Sequence, residues 1–307
     1  MRNFLLIAFL VVIVGTLVLG GIVLRQEDSR DYETAWRQFT ENAKGDAERG
    51  AYTVRLAGCA TCHTAPKGGK FLAGGRELKS PFGSFFPPNI TPDRETGIGD
   101  WSDADFALAL HHGKSPDGKP YYPAFPYTSY TRMTKQDMLD LKAYLNSIEP
   151  VRNQVPDHNL SFPFSVRAGM YVWRALFFDT EVPLPDPDES AAWNRGAYIV
   201  NGPGHCGECH TPRNVFGALQ RDRAFSGNPK GPENKPVPNI TGHAKRGIKE
   251  WSADDVVTFL QIGFKPDGDF AGGAMTDVID DATGKLTEAD QAAIATYLKS
   301  LPAIPAE

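Results

Sequence analysis

A chain of 307 residues, 41% hydrophobic and 22% charged, is long enough for two ordinary domains and too apolar to stay disordered. A net charge of −5 argues against nucleic acid as a partner and leaves a basic protein surface as the electrostatic complement. With 30 glycines and 24 prolines, both somewhat high, the domains are expected to be loop-rich.

Taken in order, the chain opens on Phe4 to Leu24, an uncharged run of roughly 20 residues, enough as a helix to cross a hydrocarbon core of about 30 Å. A cleaved secretory signal is the other reading. Its apolar region is usually about 7–15 residues and ends at a small-residue cleavage site. This run is longer and no such site follows, so 4–24 is expected to be an uncleaved anchor. Arg2 precedes it and Arg25 and Arg30 follow, so flanking charge does not orient it. Residues 25–45 are polar and charged and read as a short helix or spacer without an assigned function.

Next comes Cys59-Ala60-Thr61-Cys62-His63, with its echo Cys206-Gly207-Glu208-Cys209-His210. Cys-x-x-Cys-His is the attachment pattern of c-type haem. Two thiols one helical turn apart add to the two vinyl groups, and the following histidine supplies an imidazole to the iron. A zinc site built from two cysteine pairs is the bland alternative. It leaves both histidines unexplained and needs distant pairs to meet. A thioredoxin-like redox pair would need a βαβ pattern that neither motif has. The four cysteines are all the chain contains, so two covalent haems account for every thiol. Haem of this type is attached outside the bacterial cytoplasm. The amino terminus is therefore expected inside and the bulk of the chain in the periplasm, on the inner membrane.

An internal repeat surrounds the motifs. Arg49-Gly50-Ala51-Tyr52 returns as Arg195-Gly196-Ala197-Tyr198, and Pro88-Asn89-Ile90-Thr91 as Pro238-Asn239-Ile240-Thr241. Trp101-Ser102 returns as Trp251-Ser252, and Pro116-Asp117-Gly118 as Pro266-Asp267-Gly268. Near-constant offsets mean two copies of one domain, placed at 46–150 and 191–304 with a connector at 151–190. Each copy reads as helices joined by long loops. One helix runs into the cysteines; another is capped by Ser102 with Asp105, or Ser252 with Asp255. The last opens at Thr134 with Asp137, or Thr287 with Asp290. Phe106, Ala109 and Leu110, then Val256, Phe259 and Leu260, give apolar faces. Leu141, Tyr144 and Leu145 match Ile294, Tyr297 and Leu298 as core stripes. No segment alternates like a strand. The connector stretch Ser165 to Phe178 is too apolar for a free linker and is expected to pack between the copies rather than to dock a partner.

An electron-carrying haem usually has a second axial ligand, and methionine opposite histidine raises the potential. Met275, in a loop before the last helix, is that residue for the second copy. Its aligned position in the first copy is Phe125, which cannot bind iron. Of Met133, Met138 and Met170, Met138 suits core packing and Met170 lies in the connector. Met133 just before Thr134 is the expected ligand, against the alternative of a hydrophobic staple, since its counterpart is Leu286. His111 and His112 are the fallback, each read as a surface histidine.

The run from Pro87-Pro88-Asn89-Ile90-Thr91 to Ala143-Tyr144-Leu145, and Arg195-Gly196-Ala197-Tyr198 through Cys206 to Asn214, resemble the cytochrome c subunits of membrane-bound bacterial dehydrogenases. Those serve quinoprotein alcohol dehydrogenases, flavin-dependent sugar and gluconate dehydrogenases, and molybdenum hydroxylases. The resemblance covers about residues 46–300. With the repeat and the run over 4–24, the expected fold is all-α, a tandem of two cytochrome c domains behind an amino-terminal transmembrane helix. The resemblance also implies His/Met haems and electron transfer from a periplasmic dehydrogenase subunit towards quinone, a soluble cytochrome or an oxidase. Many members carry three haems, a methionine where this chain has Phe125, and a carboxyl-terminal anchor. The expectation is a dihaem relay without substrate chemistry. A dihaem peroxidase, the dihaem subunit of a haem–copper oxidase and a haem gas sensor are the rivals.

Overall fold

The computed structural model describes Gly15 and residues 30–305; but for Gly15, the expected anchor over 4–24 lies outside them. No helix among the described residues is long and apolar enough to cross a membrane. The first half contains α1 (30–40), α2 (Ala47–Leu56), α3 (Cys59–His63), α4 (Asp103–His112), α5 (Tyr127–Tyr130) and α6 (Lys135–Ser147). The connector holds α7 (Gly169–Phe177). The second half contains α8 (Ala191–Asn201), α9 (Gly207–His210), α10 (Ala253–Ile262), α11 (Ala274–Asp281) and α12 (Glu288–Ser300).

Each half is built on one helix crossing that only glycine permits. A Cβ on Gly50 of α2 would lie 2.0 Å from the Asp140 carbonyl oxygen of α6, and one on Gly196 of α8 would lie 2.0 Å from that of Ala293 of α12. The backbones touch there, and the flanking side chains close over the contact. Around the first crossing Val54, Leu72, Leu141 and Leu145 are buried together with Phe106 and Leu110 of α4. Around the second lie Ile199, Val200, Ile294 and Leu298, with Val256 and Leu260 of α10. Fully burying such a side chain stabilises by about 1.5–3 kcal/mol. The expected apolar stripes are therefore the cores.

Capping follows the sequence. Ser102 and Asp105 form a reciprocal box at the start of α4, as Ser252 and Asp255 do at α10. Left-handed Gly113 and Gly263 end those helices. Thr134 and Thr287 accept the Asp137 and Asp290 amides, but the two carboxylates turn elsewhere.

Three features differ from the sequence reading. A small antiparallel sheet, β1 (Leu78–Ser80), β2 (Gly83–Phe85) and β3 (Asn159–Leu160), runs in that order, pairing Leu78 with Phe85 and Gly83 with Leu160. Strands of two or three residues are too short to show alternation. The charged stretch before residue 45 forms the short helix rather than a spacer, with a packing role the sequence did not assign. Trp36 of α1 is 1% exposed, with Tyr32 and Phe39 packed on the first core. And His111 and His112 are buried, not on the surface. The His111 ring stacks on Tyr32 at 3.9 Å, and burial pulls that histidine down to about 4.

The connector packs as expected. Trp173 and Phe178 form a third cluster with Tyr127 of the first half and Ala218 of the second, and Met170 rests against it. Trp173 Nε1 donates to the Phe216 carbonyl at 2.9 Å.

Candidate cofactor sites

Both Cys-x-x-Cys-His segments are single helical turns. In the first half α2 stops at Ala57, Gly58 takes a left-handed φ of 58°, and α3 begins at once. Residues three apart on a helix share a face, so Cys59 and Cys62 point the same way, as do Cys206 and Cys209. All four are free thiols. Burial pushes Cys59 and Cys206 up to about 12 and Cys209 up to about 11, and raises Cys62 as well. Protonated at neutral pH, they are not poised as thiolates. Among the described residues no three or more histidine, cysteine and carboxylate side chains converge on a point, so the pairs do not form the four-ligand set of a zinc knuckle.

The histidines are set by a partner that the sequence reading did not identify. His63 Nδ1 lies 2.7 Å from the Pro88 carbonyl oxygen, and His210 Nδ1 lies 2.8 Å from that of Pro238. A carbonyl only accepts, so Nδ1 carries the proton and Nε2 keeps its lone pair. Burial lowers both histidines, against the pull of the proline carbonyls, which favours the neutral imidazole. This is the tautomer and the fixed ring orientation that a metal-ligating histidine needs. The residues present therefore fit covalent haem.

The repeated Pro-Asn-Ile-Thr explains why the carbonyls are where they are. Asn89 is buried; its Oδ1 accepts from the Thr91 amide and hydroxyl at 2.9 and 2.7 Å, and its Nδ2 donates to the Val151 carbonyl at 2.6 Å. Asn239 does the same with Thr241 at 2.7 Å and with the Ile304 carbonyl at 2.8 Å. The turn pins the preceding proline carbonyl over the histidine. The Gly74 and Gly227 amides close the other side, on the His63 and His210 carbonyls at 2.6 and 2.8 Å. The repeat is visible in sequence, and it is the signal that could have found this role.

The two attachment helices face each other's half. Glu208 of α9 accepts from Thr128 and Ser129 of α5 at 2.6 and 3.0 Å, and from Arg213 at 2.5 Å. Burial pulls its carboxyl up; Arg213 and Thr128 pull harder the other way and hold it below the usual carboxylate range. The Tyr130 hydroxyl donates to the Ala57 carbonyl at 2.8 Å, and its ring meets His205 edge-on. In the other direction Arg76 donates to the Thr61 carbonyl of α3 at 2.8 Å and pairs with Asp277 of α11. No sequence signal marked Glu208, Arg76 or Asp277, because their partners lie in the other half.

A second, reciprocal pair of contacts flanks these. The Tyr52 hydroxyl of α2 donates to Asp290 at 2.6 Å and accepts the Thr287 amide at 3.2 Å. The Tyr198 hydroxyl of α8 pairs with Asp137 and accepts the Thr134 amide at 3.2 Å. Each half thus caps the last helix of the other.

The predicted methionines separate. Met275 is half-buried in the first turn of α11, not in a loop as expected. Met133 is 3% exposed within the first core, its amide on the Tyr130 carbonyl at 2.9 Å. Met138 is fully buried there, and its sulfur lies 3.5 Å from the Tyr32 hydroxyl.

Residues 47–149 match the family model described as Cytochrome c. The chain is 44% identical over 264 residues to a "Diheme cytochrome c-type" protein of Cereibacter sphaeroides, an alignment covering 85% of this chain and 87% of that one. It is 40% identical to the cytochrome c subunit of the quinone-dependent alcohol dehydrogenase of Gluconacetobacter polyoxogenes, over 89% of this chain and 59% of that subunit. It is also 40% identical to the fructose dehydrogenase cytochrome subunit of Gluconobacter japonicus, over 83% of this chain and 52% of that subunit. The chain thus spans little more than half the length of these two dehydrogenase subunits.

Proposed function

The chain belongs to the cytochrome c family, and from that premise we propose that it relays electrons from a periplasmic dehydrogenase partner to the respiratory chain. Membership implies covalently bound c-type haem, and the related subunits carry electrons rather than catalyse substrate chemistry. The finer reading is two haems, one in each of two tandem domains. Cys59 and Cys62 attach the first and Cys206 and Cys209 the second. His63 and His210 would bind the irons through Nε2, and Met275 would supply a thioether to the second. The amino-terminal run over 4–24 anchors the chain in the bacterial inner membrane, with both domains in the periplasm. The downstream acceptor is quinone, a soluble cytochrome or an oxidase.

One observation carries this reading: both histidines sit on a proline carbonyl through Nδ1, in two attachment turns that pack against opposite halves. Bound haem supplies an iron that cycles between ferric and ferrous. The chain's own work is placement. The asparagine turns hold each imidazole still, so a change of charge at the metal meets little rearrangement. The contacts of Glu208 and Arg76 hold the two turns close. The net charge of −5 gives a basic partner surface something to meet.

The test is isolation from membranes with the haem counted. Two covalent haems per chain by pyridine haemochrome, and a co-purifying dehydrogenase whose substrate reduces them, are expected. One haem per chain, or a purified complex that substrate leaves oxidised, would overturn the proposal.

A further inference from the structure

The second half gives two separate residues two separate tasks. Left-handed Gly263 opens a turn that the Ala271 amide closes on the Gly263 carbonyl at 2.7 Å, and four residues on comes Met275. Further along, Leu286 is 9% exposed in the second core, just before the capping Thr287. The first half repeats both places. Left-handed Gly113 opens the same turn, the Tyr121 amide closes it on the Gly113 carbonyl at 2.8 Å, and four residues on comes Phe125. Met133 then stands just before the capping Thr134, buried as Leu286 is.

By this correspondence Met133 does the packing task and Phe125 occupies the ligand's place. Two other methionines lie elsewhere: Met138 inside the core and Met170 against the connector cluster. A phenyl ring has no lone pair to give a metal. The sequence expectation that Met133 is a ligand therefore gives way to its alternative, the hydrophobic staple.

We propose that the first site holds its iron through His63 alone and keeps the sixth position open for a small neutral ligand against Phe125. This rests on the reading of His63 and His210 as axial ligands. The wall is aromatic. Phe125 packs on Tyr121, Tyr127 and Tyr130 with ring centroids 5.6, 6.4 and 5.7 Å apart. The Tyr130 hydroxyl is held by the Ala57 carbonyl. Phe125 itself offers only an apolar face, which favours a neutral diatomic over an anion; Arg174 over Tyr127 and His205 against Tyr130 stand behind those rings. The site is thus a binding position on the relay.

Carbon monoxide is the probe, added to the dithionite-reduced full-length protein. About half of the haem should shift its Soret band, and the ferric protein should show one haem's worth of the far-red charge-transfer band that marks methionine ligation. Phe125→Met should double that band and abolish carbon monoxide binding. Met133→Leu should change neither. Met275→Ala should remove the band and let both haems bind carbon monoxide. A wild-type protein that binds no carbon monoxide, or a Met133→Leu variant that loses half of the band, would overturn the proposal. Haem content, counted separately, tells that outcome apart from a failure to carry two haems at all.

Discussion

The two halves agree on one side of the imidazole and part on the other. Glycine crossing, attachment turn, asparagine turn and proline carbonyl recur with nearly the same distances. Beyond the histidine, α5 is one turn with Phe125 before it, whereas α11 is an eight-residue helix carrying Met275. The difference teaches which geometry covalent attachment demands. Thiols and imidazole must meet the group in a fixed order, so their scaffold tolerates little change. The opposite face would set potential and access, and there the first copy has Phe125 where the second has Met275.

The salt links diverge too. In the first half Asp140 takes Arg49 at 2.7 and 2.9 Å, the Asp46 amide and Gln136, while Asp137 is left to Tyr198. In the second half Asp290 takes both Arg195 at 2.7 Å and Tyr52. One carboxylate there serves a core and the seam together.

The strongest way to test the likeness is at the crossings. Gly50→Ala and Gly196→Ala each force a methyl onto a backbone oxygen, and each should cost about 3 kcal/mol or more. Denaturant unfolding should show the two losses as similar; a harmless substitution at either would mean that half is not built on its crossing.

The carboxylates sharpen the contrast. Asp290→Asn should loosen the second half and the seam at once, by about 1.5–3 kcal/mol, the range for hydrogen bonds to a charged group. Asp140→Asn should disturb the first half alone. Burial pulls both carboxyls up, but the arginine and other hydrogen bonds outweigh it and hold both low. Groups lowered on folding stabilise above the unfolded value of about 3.9 and lose that contribution as the pH falls through their folded values. Acid titration should therefore open the protein below about pH 4, with a shallower pH dependence in Asp290→Asn. Equal pH dependence in the variant and the parent would remove Asp290 from this role.

The smallest effect should come from the reciprocal tyrosines. Tyr52→Phe and Tyr198→Phe each remove one hydroxyl and should cost about 1 kcal/mol. If the halves meet as one rigid seam, the double variant should lose less than the sum, because the first loss already weakens the second contact. Strict additivity in a double-mutant cycle would mean two independent latches.

Much of this is legible in the sequence. Cys-x-x-Cys-His, the serine and threonine caps and the apolar stripes are local patterns, written within a few residues of one another. What stays hidden depends on distance. Glu208 reads as a filler residue in its motif until α5 arrives beside it. Trp36 lies among charges that mask its role, and the buried pair His111 and His112 has no meaning without Tyr32 above it. Met133 is ambiguous in the sequence, because its counterpart Leu286 argues for packing while Phe125 leaves the first copy in want of a sulfur.

The packing of α1 has a mechanical consequence. A loose tether would let the first half wander while its amino terminus stayed fixed. Trp36 instead grips the first core, and Tyr32 lies on the last turn of α4. A force or docking event that reaches α1 is passed straight to the first core through these two rings. The first site is thereby fixed in orientation relative to α1. The second site is reached from α1 through the seam and the connector cluster.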